Sequence, residues 1–366
     1  MNKIPQMRPY FNQDLSKDIS EYLKDDVFIT EYKKTTDFEE EITKFTGIRN
    51  AIAVNNGTIA LTLAGLCCDI KPEDEVLIPN FTMIATCNAF RILGAKIKLI
   101  DVDKENLCIC KSQVEEQISP KTKIVVLVNA NGRYPSFSVE QWREDLNKKG
   151  IFLIEDAAQA LGSKYPNGDH IGMHSNIATL SFSAPKIIST GQGGMLLTNN
   201  DDIAKKARKL KDFGRNKGGT DIHDITGFNF KFTDIQAVIG LNQMKELNSR
   251  INKKKNIYNN YLELFNEISE VDFIKNDIKV TTPWFFEIKV EKRKQLINFL
   301  KENGIGSRVM YPALHTQQCN QGLEFGCVKN SLEISKKGLW IPSMHTLTIE
   351  EIEKICFTIK DFFKKG

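Results

Sequence analysis

No stretch of this 366-residue sequence approaches the ~18 consecutive apolar residues that a membrane-spanning helix needs, and the longest apolar runs are only 124–128 and 151–154. The start, Met1-Asn2-Lys3-Ile4-Pro5-Gln6, lacks the apolar region of a secretory signal. The eight cysteines include no Cys-x-x-Cys pair, and several, such as Cys87, fall among apolar or small neighbours where a thiol acts as a small hydrophobe. A reduced, soluble, cytoplasmic protein is expected. The five histidines are scattered, so no metal is expected. Charge is nearly balanced at +4, and basic clusters such as Lys253-Lys254-Lys255 are short, which argues against nucleic-acid binding. Internal repeats and low-complexity tracts are absent.

At 41% hydrophobic and 26% charged residues the chain is of ordinary globular composition, and its length predicts two domains. From about residue 50, short apolar runs alternate with helix-like stretches. Ala51-Ile52-Ala53-Val54 runs into Asn55-Asn56-Gly57, then a small-residue helix from Thr58. Glu75–Pro79, a helical pattern to Leu93, Ile97–Val102, Ile124–Val128 and Ile151–Ile154 follow. The last two are continuous β-branched or Leu-rich runs, as expected of strands buried on both faces. Such alternation predicts a mostly parallel sheet sandwiched by helices.

Helices are expected over 205–211 and 233–247, with a long one beginning over 252–264 that leads into a second domain. That domain should hold a strand at 284–290, a helix at 292–303 and a final helix whose face carries Ile352, Ile355, Ile359, Phe362 and Phe363. The expected division is 1–245, a large domain with an N-terminal arm over 1–25, and 246–366, a smaller one. The arm either covers the large domain or hangs as a tail.

Three features carry chemistry. Asn55-Asn56-Gly57-Thr58 joins a strand to a helix, where free N–H groups and the helix dipole attract an anion and Gly57 allows close approach. An ordinary cap-and-turn explains it equally simply, and no Gly-Lys-Ser/Thr follows. In Ile154-Glu155-Asp156-Ala157-Ala158-Gln159, Asp156 ends a buried parallel strand, where open α/β sheets bind ligands. It could pair with a protonated ring nitrogen, or simply cap a helix. Lys186 follows the strand-like Thr179–Phe182 and precedes Gly191-Gln192-Gly193-Gly194, a setting in which desolvation can make an amine nucleophilic. A surface lysine is the plainer alternative. A phosphate cup, an acid and a lysine together suit one cofactor, pyridoxal phosphate.

The ordered set of Asn-Gly-Thr, Glu-Asp-Ala-Ala-Gln, Ser-Phe-x-x-x-Lys, Gly-x-Gly-Gly-Met and Gly-Phe-Asn-Phe-Lys-Phe-Thr-Asp-Ile-Gln-Ala resembles the DegT/DnrJ/EryC1/StrS family of sugar aminotransferases, from about Ile29 to Pro342. The resemblance implies an α/β fold like that of aspartate aminotransferase (fold type I). It implies that Lys186 bonds the cofactor aldehyde, Asp156 the pyridine nitrogen, and Gln159 lies near the ring hydroxyl. Gly57, Thr58 and Ser181 would contact the phosphate. Asn229 would reach the phosphate of a neighbouring subunit, making a homodimer with shared sites. Thr82 would pass over the ring, with Met83 where relatives carry an aromatic residue. Arg308 and His315 would lie on the substrate side, though a surface arginine and a structural histidine are open alternatives.

The implied reaction takes an amino group from glutamate and gives it to a nucleotide-linked keto-deoxy sugar, for surface polysaccharide or glycan. Gln192 and Lys231 replace a common Glu and Arg, and Asn129–Arg133 replaces a histidine-containing stretch near the substrate. Another small phosphorylated ketone is therefore a rival acceptor. A dehydratase would carry histidine at position 186. A non-catalytic relative would have a broken lysine, aspartate or phosphate cup, and a nucleotide-binding module would need Gly-x-Gly-x-x-Gly after the first strand.

Overall fold

The computed structural model describes residues 3–24, 28–216, 220–266 and 268–365. Residues 1, 2 and 25 of the expected arm lie outside these. Eight strands form the main sheet: β1 (Asn50–Val54), β2 (Glu75–Pro79), β3 (Lys96–Ile100), β4 (Thr122–Val128), β5 (Phe152–Asp156), β6 (Ile177–Ser181), β7 (Gly194–Thr198) and β10 (Glu324–Phe325). Their order is β1-β7-β6-β5-β4-β2-β3-β10. From β6 to β10 all neighbours are parallel, while β7 runs antiparallel to both β6 and β1. A smaller antiparallel sheet holds β8 (Phe286–Lys289), β11 (Gly338–Ile341) and β9 (Arg308–Val309) in that order.

The continuous apolar runs are buried on both sides of the sheet. In β4, Val125 and Leu127 enter one core, whereas Ile124, Val126 and Val128 enter the other. Each core is closed by helices, one by Lys33–Thr46 and Val139–Lys148, the other by Gly57–Cys67, Ile84–Arg91 and Asp201–Lys211. A third core belongs to the C-terminal part, where Ile352, Ile355 and Ile359 are buried and Phe362 and Phe363 pack against them.

The first residues join both parts of the molecule. Ile4 lies in the C-terminal core, its N–H donating to Gly304 O at 2.9 Å and its carbonyl accepting from Gly306 N at 2.8 Å. Helix Asp14–Lys24 packs on helix Asp234–Met244 of the larger part, with Asn242 Nδ2 2.9 Å from Asp18 Oδ2.

Two expected elements differ. The 233–247 helix ends at Met244 and a separate helix runs Leu247–Phe265. The strand expected at 284–290 spans Phe286–Lys289, because the N–H groups of Trp284 and Phe285 both donate to Asn131 Oδ1, at 2.6 and 2.8 Å, in place of a neighbouring strand.

Strand direction gathers the candidate residues. Asp156 and Ser181 end parallel β5 and β6, and the antiparallel β7 begins beside them, with Gly194 paired to both Ser181 and Val54. The turn at Asn55–Gly57 therefore leaves β1 at the same sheet edge.

Candidate active site

A cavity of about 560 Å³ opens at that edge, lined by Gly57, Thr58, Thr82, Met83, Asp156, Gln159, Ser181, Lys186 and Arg308. Two expected residues lie elsewhere. His315 accepts or donates to Asn80, whose Nδ2 is 2.9 Å from its Nδ1, and its ring sits 4.9 Å from Phe325. Asn229 is solvent-exposed in a segment that also exposes Phe213, Ile222, Ile225 and Phe228.

Helix Gly57–Cys67 points its N-terminus into the cavity. The Asn56 side chain accepts from Ile59 N at 2.9 Å and the Asn56 carbonyl accepts from Ala60 N at 3.0 Å. The N–H groups of Gly57 and Thr58 are left without an acceptor among the described residues, which suits an anion. A Cβ on Gly57 would come 2.9 Å from Ser181 Cβ, and one on Gly194 would meet Asn56 O at 2.3 Å. Both glycines are needed for the turn to sit this close to β6 and β7.

Asp156 is 6% exposed. Its Oδ2 accepts from Thr86 Oγ1 at 2.8 Å and its Oδ1 from Ala158 N at 3.2 Å. Thr82 Oγ1 lies 3.0 Å from Thr86 Oγ1, so a hydroxyl chain runs from the cavity wall to the carboxylate. Burial pushes the Asp156 carboxyl above its ordinary value, while Thr86, Ala158 and Lys186 oppose the rise. A nearby cationic ring nitrogen would favour the ionised form.

Lys186 is half-buried, and burial pushes its amine down to about 8, with Asp156 opposing and Arg308 adding to the fall. No hydrogen bond or ion pair engages its Nζ among the described residues. The amine lies 4.3 Å from the centre of the Trp284 ring.

Gln159 Oε1 accepts from Asn131 N at 2.7 Å, and Ser181 Oγ lies 3.3 Å from Ser183 Oγ. The Asn129–Arg133 stretch is a buried brace. Asn131 takes a left-handed backbone (φ 55°) and ties Gln159 to Trp284, while Arg133 pairs with Glu287 at 2.6 Å. Lys231 pairs with Asp212 at 2.8 Å.

Sequence reasoning missed Thr86, Trp284 and Tyr311. Thr86 stands one helical turn after Thr82, a spacing that could have found it. Trp284 and Tyr311 come from the C-terminal part, and nothing local in sequence marks them as facing Lys186.

No group of three or more metal-ligating side chains occurs among the described residues, and His170, four residues before His174, is occupied by accepting from Gly162 N at 3.0 Å. No described helix is long and apolar enough to cross a membrane.

An anion-binding helix end, a buried carboxylate and an amine of lowered proton affinity around one cavity define a site for a phosphorylated heteroaromatic aldehyde. Comparison with known proteins agrees. The DegT/DnrJ/EryC1/StrS aminotransferase family matches residues 9–360, and the chain belongs to this family. GDP-perosamine synthase of Escherichia coli O157:H7 is 30% identical over 366 residues, covering 99% of each chain. Among solved structures, Helicobacter pylori PseC, an aminotransferase involved in the biosynthesis of pseudoaminic acid, superposes with a TM-score of 0.91 at 22% identity over 100% of both chains. The E. coli GDP-4-keto-6-deoxy-D-mannose-3-dehydratase superposes at 0.89 and 20% identity, covering 98% of this chain and 100% of its own. The chain is thus an aminotransferase with the fold-type-I architecture expected from its sequence, and pyridoxal 5′-phosphate is its cofactor.

Proposed function

We propose that this protein moves an amino group from L-glutamate to the keto group of a nucleotide-linked keto-deoxy sugar, supplying an amino sugar for surface polysaccharide or glycan. One observation carries the reading: Lys186 and Asp156 line the same cavity as the open helix end at Gly57 and Thr58. Near-full-length similarity to a GDP-perosamine synthase supports a nucleotide sugar as acceptor.

In this reading residues 1–245 hold the cofactor and residues 246–366 close the site. The N–H groups of Gly57 and Thr58, with Ser181, bind the phosphate. Asp156, oriented by Thr86 and Ala158, holds the proton on the ring nitrogen, and Gln159 lies beside the ring hydroxyl. When bound, pyridoxal phosphate supplies an aldehyde that carries the amino group and a protonated ring that withdraws electrons from the reacting carbon. Lys186 bonds that aldehyde at rest. Once displaced, its neutral amine takes the proton from the donor's α-carbon and holds it on Nζ. Met83 packs where relatives place an aromatic ring, and Arg308 faces an anionic group of a substrate. His315 positions Asn80 and the loop after Tyr311.

A homodimer fits the exposed Phe213, Ile222, Ile225 and Phe228, which surround Asn229 and would be covered by a second copy carrying its phosphate. Eight free thiols suit a reduced cytoplasm. The fold is shared with a dehydratase and does not choose the reaction; Lys186 favours transamination.

The test feeds ketones to protein loaded with pyridoxamine phosphate and follows return of the aldehyde-form absorbance. Nucleotide-linked keto sugars should restore it. Restoration only by other small phosphorylated ketones would contradict the proposed acceptor.

A further inference from the structure

Among the described residues Lys186 is the one lysine lining the cavity, and it sits on an indole face. Its Nζ is 4.3 Å from the Trp284 ring centre and has no hydrogen-bond acceptor or carboxylate in contact among the described residues. Trp284 is held by five contacts, three to its ring and two to its backbone. Its Nε1–H donates to Pro185 O at 2.7 Å, next to Lys186 in the chain. Its backbone N–H donates to Asn131 Oδ1 at 2.6 Å, and its carbonyl accepts from Lys254 Nζ at 2.6 Å. The ring stacks on Phe285 at 4.0 Å and meets Trp340 edge-on at 5.5 Å. A buried side chain tied at this many points does not turn away when its neighbour moves.

We propose that Trp284 is a positioning residue for Lys186: its indole face is the seat on which the lysine ammonium rests whenever Lys186 is not bonded to the cofactor. This rests on the reading of Lys186 given above. A cation over an aromatic face in a site shielded from water is stabilised, more strongly than at an exposed surface. The seat therefore favours the charged form and holds Nζ at one height while it carries the proton. Asn131 extends the brace, because the residue that holds Trp284 also binds Gln159, which lines the same cavity. Lys254 anchors Trp284 from behind through a second bond to Ser343 O, so the seat is built by groups on both sides of the junction between the two parts of the chain.

Other titratable or charged groups surround Lys186 from the neighbouring elements. Asp156 lies at the end of β5, Arg308 on β9 and Tyr311 just after it. Behind the lysine stand Arg250, Lys254 and His345. All of these remain in a Trp284 variant, so a change in proton affinity on replacing the indole reports on the indole.

The experiment mixes cofactor-free protein with pyridoxal phosphate over a pH series spanning 8, the value near which the Lys186 amine titrates. The rate of bond formation is followed by absorbance, and the bond is fixed with borohydride and mapped to Lys186 by mass spectrometry. In Trp284→Leu, which keeps an apolar side chain but removes the ring, the midpoint of the rate profile should fall by about one pH unit. Trp284→Phe, a weaker ring of the same kind, should shift it by less. A folded Trp284→Leu protein with an unmoved midpoint overturns the proposal. If the leucine variant does not fold, the phenylalanine variant decides, and an unmoved midpoint there overturns it too. Wild-type protein that fixes no cofactor on Lys186 overturns the underlying reading instead, a result distinct from an unmoved midpoint.

Discussion

Lys186 carries a lowered proton affinity because its amine sits in a walled cavity with no hydrogen-bond partner. The sign of the pH effect follows. Attack on an aldehyde needs the neutral amine, so the rate of cofactor capture should fall about tenfold per unit below about pH 8 and level off above it. A flat profile from two units below that point upward would contradict the burial argument. Asp156 offers a second handle. Replacing Thr86 by Val removes the donor to Oδ2, and a hydrogen bond to a charged group contributes about 1.5–3 kcal/mol. Pyridoxal phosphate should then bind about tenfold to a hundredfold more weakly by spectroscopic titration, and Thr86→Ser should recover most of the loss. Most of the cavity was legible residue by residue, since Gly57, Asp156, Ser181 and Lys186 sit in short ordered motifs. Trp284 was not legible, because its importance comes from tertiary contact with a residue 98 positions away.

Elements place these side chains by direction more than by local preference. Parallel β5 and β6 end at the cavity, and antiparallel β7 begins there, so one sheet edge collects residues from 54 to 194. The strands were legible because runs such as Ile124–Val128 are buried on both faces. The 233–247 helix and the 284–290 strand are shorter than their local patterns suggest, because the helix is interrupted at 245–246 and the Asn131 side chain takes the N–H groups of Trp284 and Phe285. The Asn129–Arg133 stretch, expected near substrate, is a brace. Arg133 is buried against Glu287, with further bonds to Ile274 O at 2.9 Å and Lys275 O at 3.0 Å. Arg133→Met should leave Glu287 buried and unpaired, lowering stability by about 3–5 kcal/mol in chemical unfolding. Adding Glu287→Met should restore much of it. His170 gives the turn after β5 a pH limit. Burial holds its imidazole down at about 4, against an ordinary 6.5, and the neutral ring accepts from Gly162 N. The unfolded chain takes up the proton first as pH falls, so stability present above 6.5 is lost towards pH 4, by about 3 kcal/mol at most. His170→Gln should flatten that slope in unfolding midpoints measured across the window.

On the scale of the whole molecule, the C-terminal part completes a site that the larger sheet begins. Trp284, Arg308 and Tyr311 line the same cavity as Asp156, and the first residues of the chain bridge the two parts, Ile4 lying in the C-terminal core and helix Asp14–Lys24 packing on helix Asp234–Met244. That arrangement depends on contacts distant in sequence, which local patterns do not encode. Asn229 is exposed in a segment that also exposes Phe213, Ile222 and Phe228, and in the proposed homodimer it would reach the cofactor phosphate of a second copy. Under that proposal Asn229→Ala should weaken cofactor retention about tenfold, the loss of one hydrogen bond to a charged phosphate, without changing the sedimentation of the protein. A fully active strict monomer would contradict the shared site. The most direct test treats the protein with pyridoxal phosphate and borohydride and sequences the labelled peptide. The account predicts a single stable adduct on Lys186, absent from Lys186→Ala; labelling at another lysine, or none at all, would contradict it.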